Sequence, residues 1–248
     1  MVSDVHGNLT AYEAVLADIE QRGITRVINL GDVVGKGPRG AECIALTQQR
    51  CEVTVRGNWD ENLGVDQEVS PSKLWWRDRL SEDDRRWLRE LPFHHDIVLS
   101  GRRVRMFHAS AEGVFTRVRP QHTEDEFRGM FAATEATGDG PLPTVAVYGD
   151  VHQAYVSVRF GLTLVNVGSV GNALDEPQAA YVILEGVPGD DVTWPFGIQV
   201  VRLAYDLERE LREAAALGNP LQEAYAMELR HAIFRKTAAR QGLIAPLH

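Results

Sequence analysis

Aspartate, asparagine and histidine recur at five places where a β-rich run gives way to a turn. The segments are Asp4-Val5-His6, Gly31-Asp32, Gly57-Asn58, His108 and Gly149-Asp150-Val151-His152. Donors placed just past the ends of neighbouring strands leave a sheet edge in the same direction, so they can converge on one point. Mixed imidazole, carboxylate and amide donors suit borderline divalent ions such as Mn2+, Fe2+ or Zn2+. A carboxylate can bridge two ions, and a pair held about 3.5–4 Å apart can generate a hydroxide and clamp a phosphate. Each segment alone has an ordinary reading: Asp32 and Asn58 are natural turn residues, and His108 could sit in a core. The five together point to a metal centre.

Such donors need strands behind them and helices to cover the strands. Ala11, Val15, Leu16 and Ile19 fall on one helical face, predicting a helix from Thr10 to about Ile19. Thr10 and Glu13 read as its capping box and Gly23 as its stop. Thr25–Leu30 reads as a strand, about 39–48 as a helix and Glu52–Val55 as a second strand. This alternation predicts an α/β layer with parallel strands, whose carboxyl ends are where ligands collect. Hairpins are expected for Asp96–Leu99 with Val104–Phe107 and for Tyr155–Phe160 with Leu162–Val165. A helix near Thr123–Ala133 and strands at Thr144–Tyr148, Tyr181–Leu184 and Gln199–Leu203 complete the sheet region. The expected organisation is a single domain over 1–248, with a helical insertion at 70–92. C-terminal helices fill 206–248, two in number, with Gly218-Asn219-Pro220 between them as stop, cap and first-turn residue. Only three residues precede Asp4, so its strand is a stub or the true translation start lies upstream.

Hydrophobic residues make up 44% of the 248 and charged residues 25%, which fits a globular chain with a proper core. The formal net charge of −9 makes a long nucleic acid a poor default partner. It leaves room for a small phosphorylated substrate, because bound metal supplies positive charge locally. There is no apolar run long enough to span a membrane and no signal-peptide pattern at the start. Cys43 and Cys51 read as free thiols, and the expected location is cytoplasmic.

The order D-x-H, G-D, G-N, H, G-x-x-H, running over residues 3 to 172, resembles the calcineurin-like metallophosphoesterase superfamily. Ser3-Asp4-Val5-His6-Gly7-Asn8 and Gly31-Asp32-Val33-Val34-Gly35 match most closely, and Asn166-Val167-Gly168-Ser169-Val170-Gly171 resembles the closing turn. The subgroup it most resembles is the small bacterial phosphodiesterases, some of which split dinucleoside polyphosphates such as diadenosine tetraphosphate. The resemblance implies an α/β fold, a four-layer α/β/β/α sandwich of two mixed sheets. It places Asp4, His6 and His152 on one ion, Asn58 and His108 on a second, and Asp32 between them. Asp32, Asn58 and His108 are the implied catalytic set, with a metal-bridging hydroxide attacking phosphorus.

Two positions depart from the pattern. Trp59 stands where the family usually has a histidine that steadies the phosphate or protonates the leaving group. Asp150 stands where a second-site imidazole is usual. As a harder, charged donor, Asp150 would tilt that site toward Mn2+ or Mg2+ and away from Zn2+, so Mn2+ is the expected ion. Trp59 cannot transfer a proton, and that help is worth roughly 10²–10⁴ in rate for a poor leaving group. Its ring could instead stack on a base, while Arg56 and Lys36 could contact phosphate. Together these favour a phosphodiester or phosphoanhydride of a nucleotide-like substrate. A phosphomonoesterase or protein phosphatase, and a metal- or nucleotide-binding protein with weakened catalysis, remain the alternatives.

Overall fold

The computed structural model describes residues 1–65 and 71–245. Its elements begin with α1 (Leu9–Gln21), β1 (Ile28–Asn29), α2 (Gly40–Arg50), β2 (Val53–Thr54) and α3 (Asn58–Gly64). Helices α4 (Pro71–Arg77) and α5 (Glu82–Glu90) follow, then β3 (His94–Leu99), β4 (Arg102–Phe107), α6 (Glu124–Gly129) and β5 (Val145–Tyr148). Strands β6 (Tyr155–Arg159), β7 (Leu162–Asn166), β8 (Ala179–Glu185) and β9 (Gly197–Leu203) lead to α7 (Leu207–Ala216), α8 (Gln222–His231) and α9 (Arg235–Arg240).

The first residues form the seam of a mixed sheet. Val2 donates to Ile28 O at 2.9 Å and Leu30 donates to Val2 O at 2.8 Å; on the other side, Val182 donates to Met1 O at 3.0 Å. This stub joins the parallel pair β1–β2 to the antiparallel pair β8–β9. The second sheet has the order β3-β4-β5-β7-β6, with parallel pairs at its centre and an antiparallel hairpin at each edge.

Period-two alternation decides which core each face joins. Val145 and Val147 of β5 pack with Ile28, Leu30, Val55 and Val182 of the first sheet. Ala146 and Tyr148, on the opposite face, pack with Phe127 and Phe131. The far face of the first sheet is covered by α1 and α2, where Val15, Leu16, Ile19 and Ile44 meet Tyr181 and Val201. Each such aliphatic side chain removed from water contributes roughly 1.5–3 kcal/mol. The fold is thus mixed α/β with two mixed sheets that share a core. Among the described residues, no helix is long and apolar enough to cross a membrane.

Several local expectations are corrected. Asn8, not Thr10, caps α1, its side chain accepting from Ala11 N–H at 3.0 Å; Thr10 instead donates to Glu210 at 2.7 Å. Strands β1 and β2 are only two residues long each, and Asp4, turning at φ +54°, ends the stub that pairs with β1. Helix α3 was not expected, nor was α9. The helix near 123–133 stops at Gly129, and α8 starts at Gln222 rather than at Pro220. In the 70–92 insertion, Trp76 of α4, Leu80 of the turn after it and Leu88 of α5 join the core with α1 and α2. Ser70 of that insertion and residues 246–248 of the tail lie outside the described residues.

Candidate metal centre

The donors leave their strands through an unusual backbone. Asp4, His6, Asp32, Lys36, Asp150 and His152 all have positive φ, between +51° and +62°. For non-glycine residues this costs on the order of 1–3 kcal/mol each and persists only where the surroundings enforce it. Two glycines let the loops close on one another. A Cβ on Gly57 would strike Asp32 Oδ1, and one on Gly149 would strike Asp4 Oδ2. Any side chain at either position would push a carboxylate out of place.

Three buried histidines are oriented in the same way. His6 Nδ1 donates to Val34 O at 3.2 Å, His108 Nδ1 to Leu30 O at 2.8 Å, and His152 Nδ1 to Asn172 O at 2.5 Å. A carbonyl oxygen only accepts, so each Nδ1 holds a hydrogen, and in the neutral ring each Nε2 presents a lone pair, as ligating imidazoles require. His6 and His152 bring their Nε2 atoms within 3.1 Å of each other. Asp4 Oδ1 lies 3.0 Å from His152 Nε2 and 3.6 Å from His6 Nε2. Asp32 Oδ2 lies between the remaining two rings, 3.6 Å from His6 and 3.5 Å from His108.

The other oxygens of these carboxylates are already bound. Asp32 Oδ1 accepts from Trp59 N–H at 2.7 Å. Asp4 Oδ2 accepts from Ser3 Oγ at 2.6 Å and Asp150 N–H at 3.0 Å. Asp4 Oδ1, by contrast, is buried with no hydrogen-bond partner. Two groups, Asp4–His6–His152 and Asp4–Asp32–His108, hold their ligand atoms within 4.8 Å of one another.

The electrostatics fit a missing positive charge. Burial pushes the Asp32 carboxyl well above its usual range, and Asp4 and Asp60 add to this against the pull of His108. Burial would raise Asp4 as well, but His152, His108 and the Ser3 hydroxyl outweigh it and hold Asp4 at about 2. His6 is driven well down by burial, then by Lys36 and His152, and stays neutral. His108 loses to burial but gains more from Asp32, Asp4 and Asp150, rising to about 9. Neighbouring carboxylates in one dry site cannot both ionise without a counter-charge. A divalent cation held by facing imidazoles and the free Asp4 carboxylate oxygen would supply one.

The remaining expected site residues divide. Asn58, the first residue of α3, donates its Nδ2 to Asp150 Oδ1 at 2.9 Å and lies 3.2 Å from His108 Nε2. Asp150 reaches the same corner, 3.9 Å from His108 Nε2, but its carboxylate is forked by Arg117, with both contacts at 2.6 Å. Lys36 is buried and lines the same cleft as Asp32, donating to Asn172 Oδ1 at 2.6 Å. Trp59 also lines this cleft, its ring edge-on to both His6 and Trp76. Arg56 corrects the expectation of a phosphate contact. It donates to Arg89 O at 3.1 Å and pairs with Glu61 at 3.3 Å, so it braces α3 and α5 and does not line the cleft.

Three contributors escaped the sequence reading. Asp60, fully buried, accepts from the backbone N–H groups of Asp32, Val33 and Gly57 at 2.7–2.9 Å and fixes both turns. Its signal was available: an acid three residues after Gly57 is a helix-capping pattern. Arg117 lies in irregular chain before α6 and carries no pattern. Asn172 turns its carbonyl to His152 and its side chain to Lys36 and Glu228, a link that only the tertiary structure makes.

Comparison with known proteins agrees with this geometry. A Methanocaldococcus jannaschii protein of uncharacterised function is 28% identical over 231 residues, spanning 84% of this chain and 88% of its own length. A metallophosphoesterase from Sphaerobacter thermophilus has a similar structure, with TM-score 0.73 and 23% identity over 94% of this chain and 97% of that one. A hypothetical protein from Pyrococcus horikoshii superposes with TM-score 0.75 and 15% identity over the same shares of the two chains. The calcineurin-like phosphoesterase superfamily domain matches residues 1–187, which hold every donor of the centre, and the chain belongs to that superfamily.

Proposed function

We propose that this chain hydrolyses a phosphodiester or phosphoanhydride in a small, nucleotide-like substrate with two divalent ions. Asp4, His6 and His152 would hold one, Asn58 and His108 the other, and Asp32 both. Membership of the superfamily makes the protein a phosphoester hydrolase. The observation that carries the finer reading is the set of three buried imidazoles with anchored Nδ1 atoms. Their Nε2 atoms face two buried carboxylates, one of which has an oxygen without a partner.

When bound, the ions supply Lewis acidity for the phosphoryl oxygens and lower the pKa of water. The chain's own residues do the rest. The anchored histidines and the Asp60-braced turns hold the donors rigid, so little reorganisation is needed as charge develops. The Asn58 amide lies where it can donate to a non-bridging phosphoryl oxygen. Trp59 excludes water beside His6 but offers no proton, so leaving groups that depart as weak bases are favoured. The exposed part of its ring is available to a nucleobase. With a carboxylate in place of an imidazole at Asp150, Mn2+ suits the second position better than Zn2+. We place the reaction in the cytoplasm, where the free thiols of Cys43 and Cys51 stay reduced.

The test is metal-dependent turnover. The Mn2+-loaded protein should hydrolyse bis(p-nitrophenyl) phosphate and dinucleoside polyphosphates faster than simple alkyl phosphomonoesters, and Asp32→Asn should abolish both activities. Equal or better turnover of the alkyl monoesters would sink the substrate assignment.

A further inference from the structure

The cleft over the metal centre has a second wall that takes no part in holding the ions. Its volume is about 640 Å³, and Asp32, Asn58 and His152 share it with the C-terminal helix α9. In a chain of net charge −9 it gathers five cations: Lys36, Arg117, Arg119, Lys236 and Arg240. Two are committed, Lys36 to Asn172 and Arg117 to Asp150. Arg119, Lys236 and Arg240 are exposed and have no carboxylate at ion-pairing distance among the described residues.

Their direction is set by a buried anchor. Arg235, the first residue of α9, grips Glu228 with contacts of 2.6 and 2.7 Å, and its backbone N–H donates to the same carboxylate at 3.0 Å. Glu228 also accepts from Asn172 Nδ2 at 3.1 Å, and Asn172 bonds both Lys36 and His152. With its first turn fixed to the centre in this way, α9 presents Lys236, Thr237 and Arg240 to the cleft. The spacing i, i+1, i+4 puts them on one side of the helix. Helix α9 and its anchor Glu228 lie beyond the residues 1–187 matched by the superfamily domain.

We propose that Arg119, Lys236 and Arg240 form a subsite for a second phosphoryl group, so that the enzyme selects small substrates with a phosphate chain over those with one phosphate. The inference rests on the phosphoesterase reading and adds what lies beyond the reacting phosphorus. Cations in a concave site raise the local concentration of a polyanion, and the arginine fork matches phosphate oxygens. Lys236, next to Thr237, adds a point charge beside a hydroxyl donor. A long nucleic acid needs basic residues strung along many phosphates; here they are gathered in one cleft of an acidic protein.

The experiment compares affinity of the Mn2+-loaded full chain for inorganic tripolyphosphate and for orthophosphate, by calorimetric titration. The double variant Lys236→Gln/Arg240→Gln should cut the preference for tripolyphosphate at least tenfold, and Arg119→Gln, on a different element, should cut it about threefold to tenfold. A preference unchanged in both variants overturns the subsite. So does a short single-stranded oligonucleotide that loses more affinity than tripolyphosphate does. Failure of the hydrolase reading shows elsewhere: wild-type protein would not turn over bis(p-nitrophenyl) phosphate with Mn2+, whatever the binding ratio.

Discussion

The two halves of the donor cluster carry their charge differently. Around Asp4, His6 and His152, one carboxylate oxygen has no partner and two imidazole lone pairs face each other at 3.1 Å. Around Asn58, His108 and Asp150, the carboxylate is already met by the Arg117 fork and the Asn58 amide. On the proposed reading a cation meets the first half directly, whereas in the second half an ion would bind beside an internal counter-charge. A buried, unpaired charge is strongly disfavoured, so occupancy of the first position should be the more stubborn and the more costly to lose.

The largest effect should come from removing that orphaned charge. Asp4→Asn keeps the shape and the Oδ2-side contacts but leaves an amide facing His152. We expect turnover to fall about 10³-fold or more, with metal analysis showing the loss of at least one ion. Asp150→Asn should be milder, because Arg117 has been neutralising that carboxylate. Equal damage from the two variants would break the comparison.

The first half also leans on the C-terminal helices, since the Asn172 carbonyl that orients His152 belongs to the residue whose side chain bonds Glu228. Burial would raise the Glu228 pKa, but Lys36 and then Arg235 outweigh it and bring it down to about 2 from the ordinary 4.5. A depressed carboxyl stabilises the fold above its unfolded value and loses that contribution as pH falls through its folded value. The difference amounts to about 3 kcal/mol at neutral pH. Glu228→Gln should therefore lower the Tm at pH 7, and the gap from wild type should close between about pH 4.5 and 2. A gap that does not change with pH would show that the charge is not what matters. The same variant should weaken first-site metal affinity about tenfold, as losses behind a ligand typically do.

The difference between the halves also marks what the sequence made legible. Donor types are dictated by the chemistry of the ion, so Asp4, His6, Asp32, Asn58, His108 and His152 stood out as residues that the structure then brings together. Helix α3, which begins at Asn58, is too short to show apolar spacing, whereas α1 announced itself by it. Arg117 did not, because a counter-ion for Asp150 can come from any loop and leaves no periodic trace. Helix α9 was missed for a related reason: it buries only Arg235 and Ala238, so its apolar stripe is too thin to read. Arg56 looked available for phosphate only because its partners, Arg89 O and Glu61, come from other elements. Strand lengths failed through pairing, which a single strand's sequence does not contain.

Freeing the second half should give a smaller change. Arg117→Gln removes the fork and leaves Asp150 with the Asn58 amide alone. The carboxylate then competes better for a cation, and second-site Mn2+ affinity should rise about tenfold, corresponding to roughly 1.4 kcal/mol. The Arg117 side chain is 40% exposed but that of Asp150 only 2%, so leaving the carboxylate without its fork should also lower fold stability, by about 1–3 kcal/mol. Metal titration resolving two binding events checks this. Weaker binding at the second position would mean that Arg117 orients Asp150 toward the ion rather than holding it back.

The smallest expected effect concerns Trp59, which sits beside the first half without donating to it. Its ring centroid lies 5.9 Å from that of His6 and 5.6 Å from that of Trp76, and Lys73 Nζ lies 5.2 Å from its centre. Trp59→His puts a titratable group where none exists, and it also opens a gap against Gly35 and Trp76 that costs about 3 kcal/mol of packing. The two consequences separate by leaving group. An alkoxide needs a proton as it departs, so alkyl phosphodiesters should gain severalfold in kcat despite the looser site, well short of the roughly 10² that a well-placed acid gives. A p-nitrophenolate leaves without a proton and should register only the loosened packing, so the dependence of rate on leaving-group pKa becomes shallower. If both substrate classes slow in parallel, Trp59 acts as a wall of the first metal position and nothing in its place can reach the leaving oxygen.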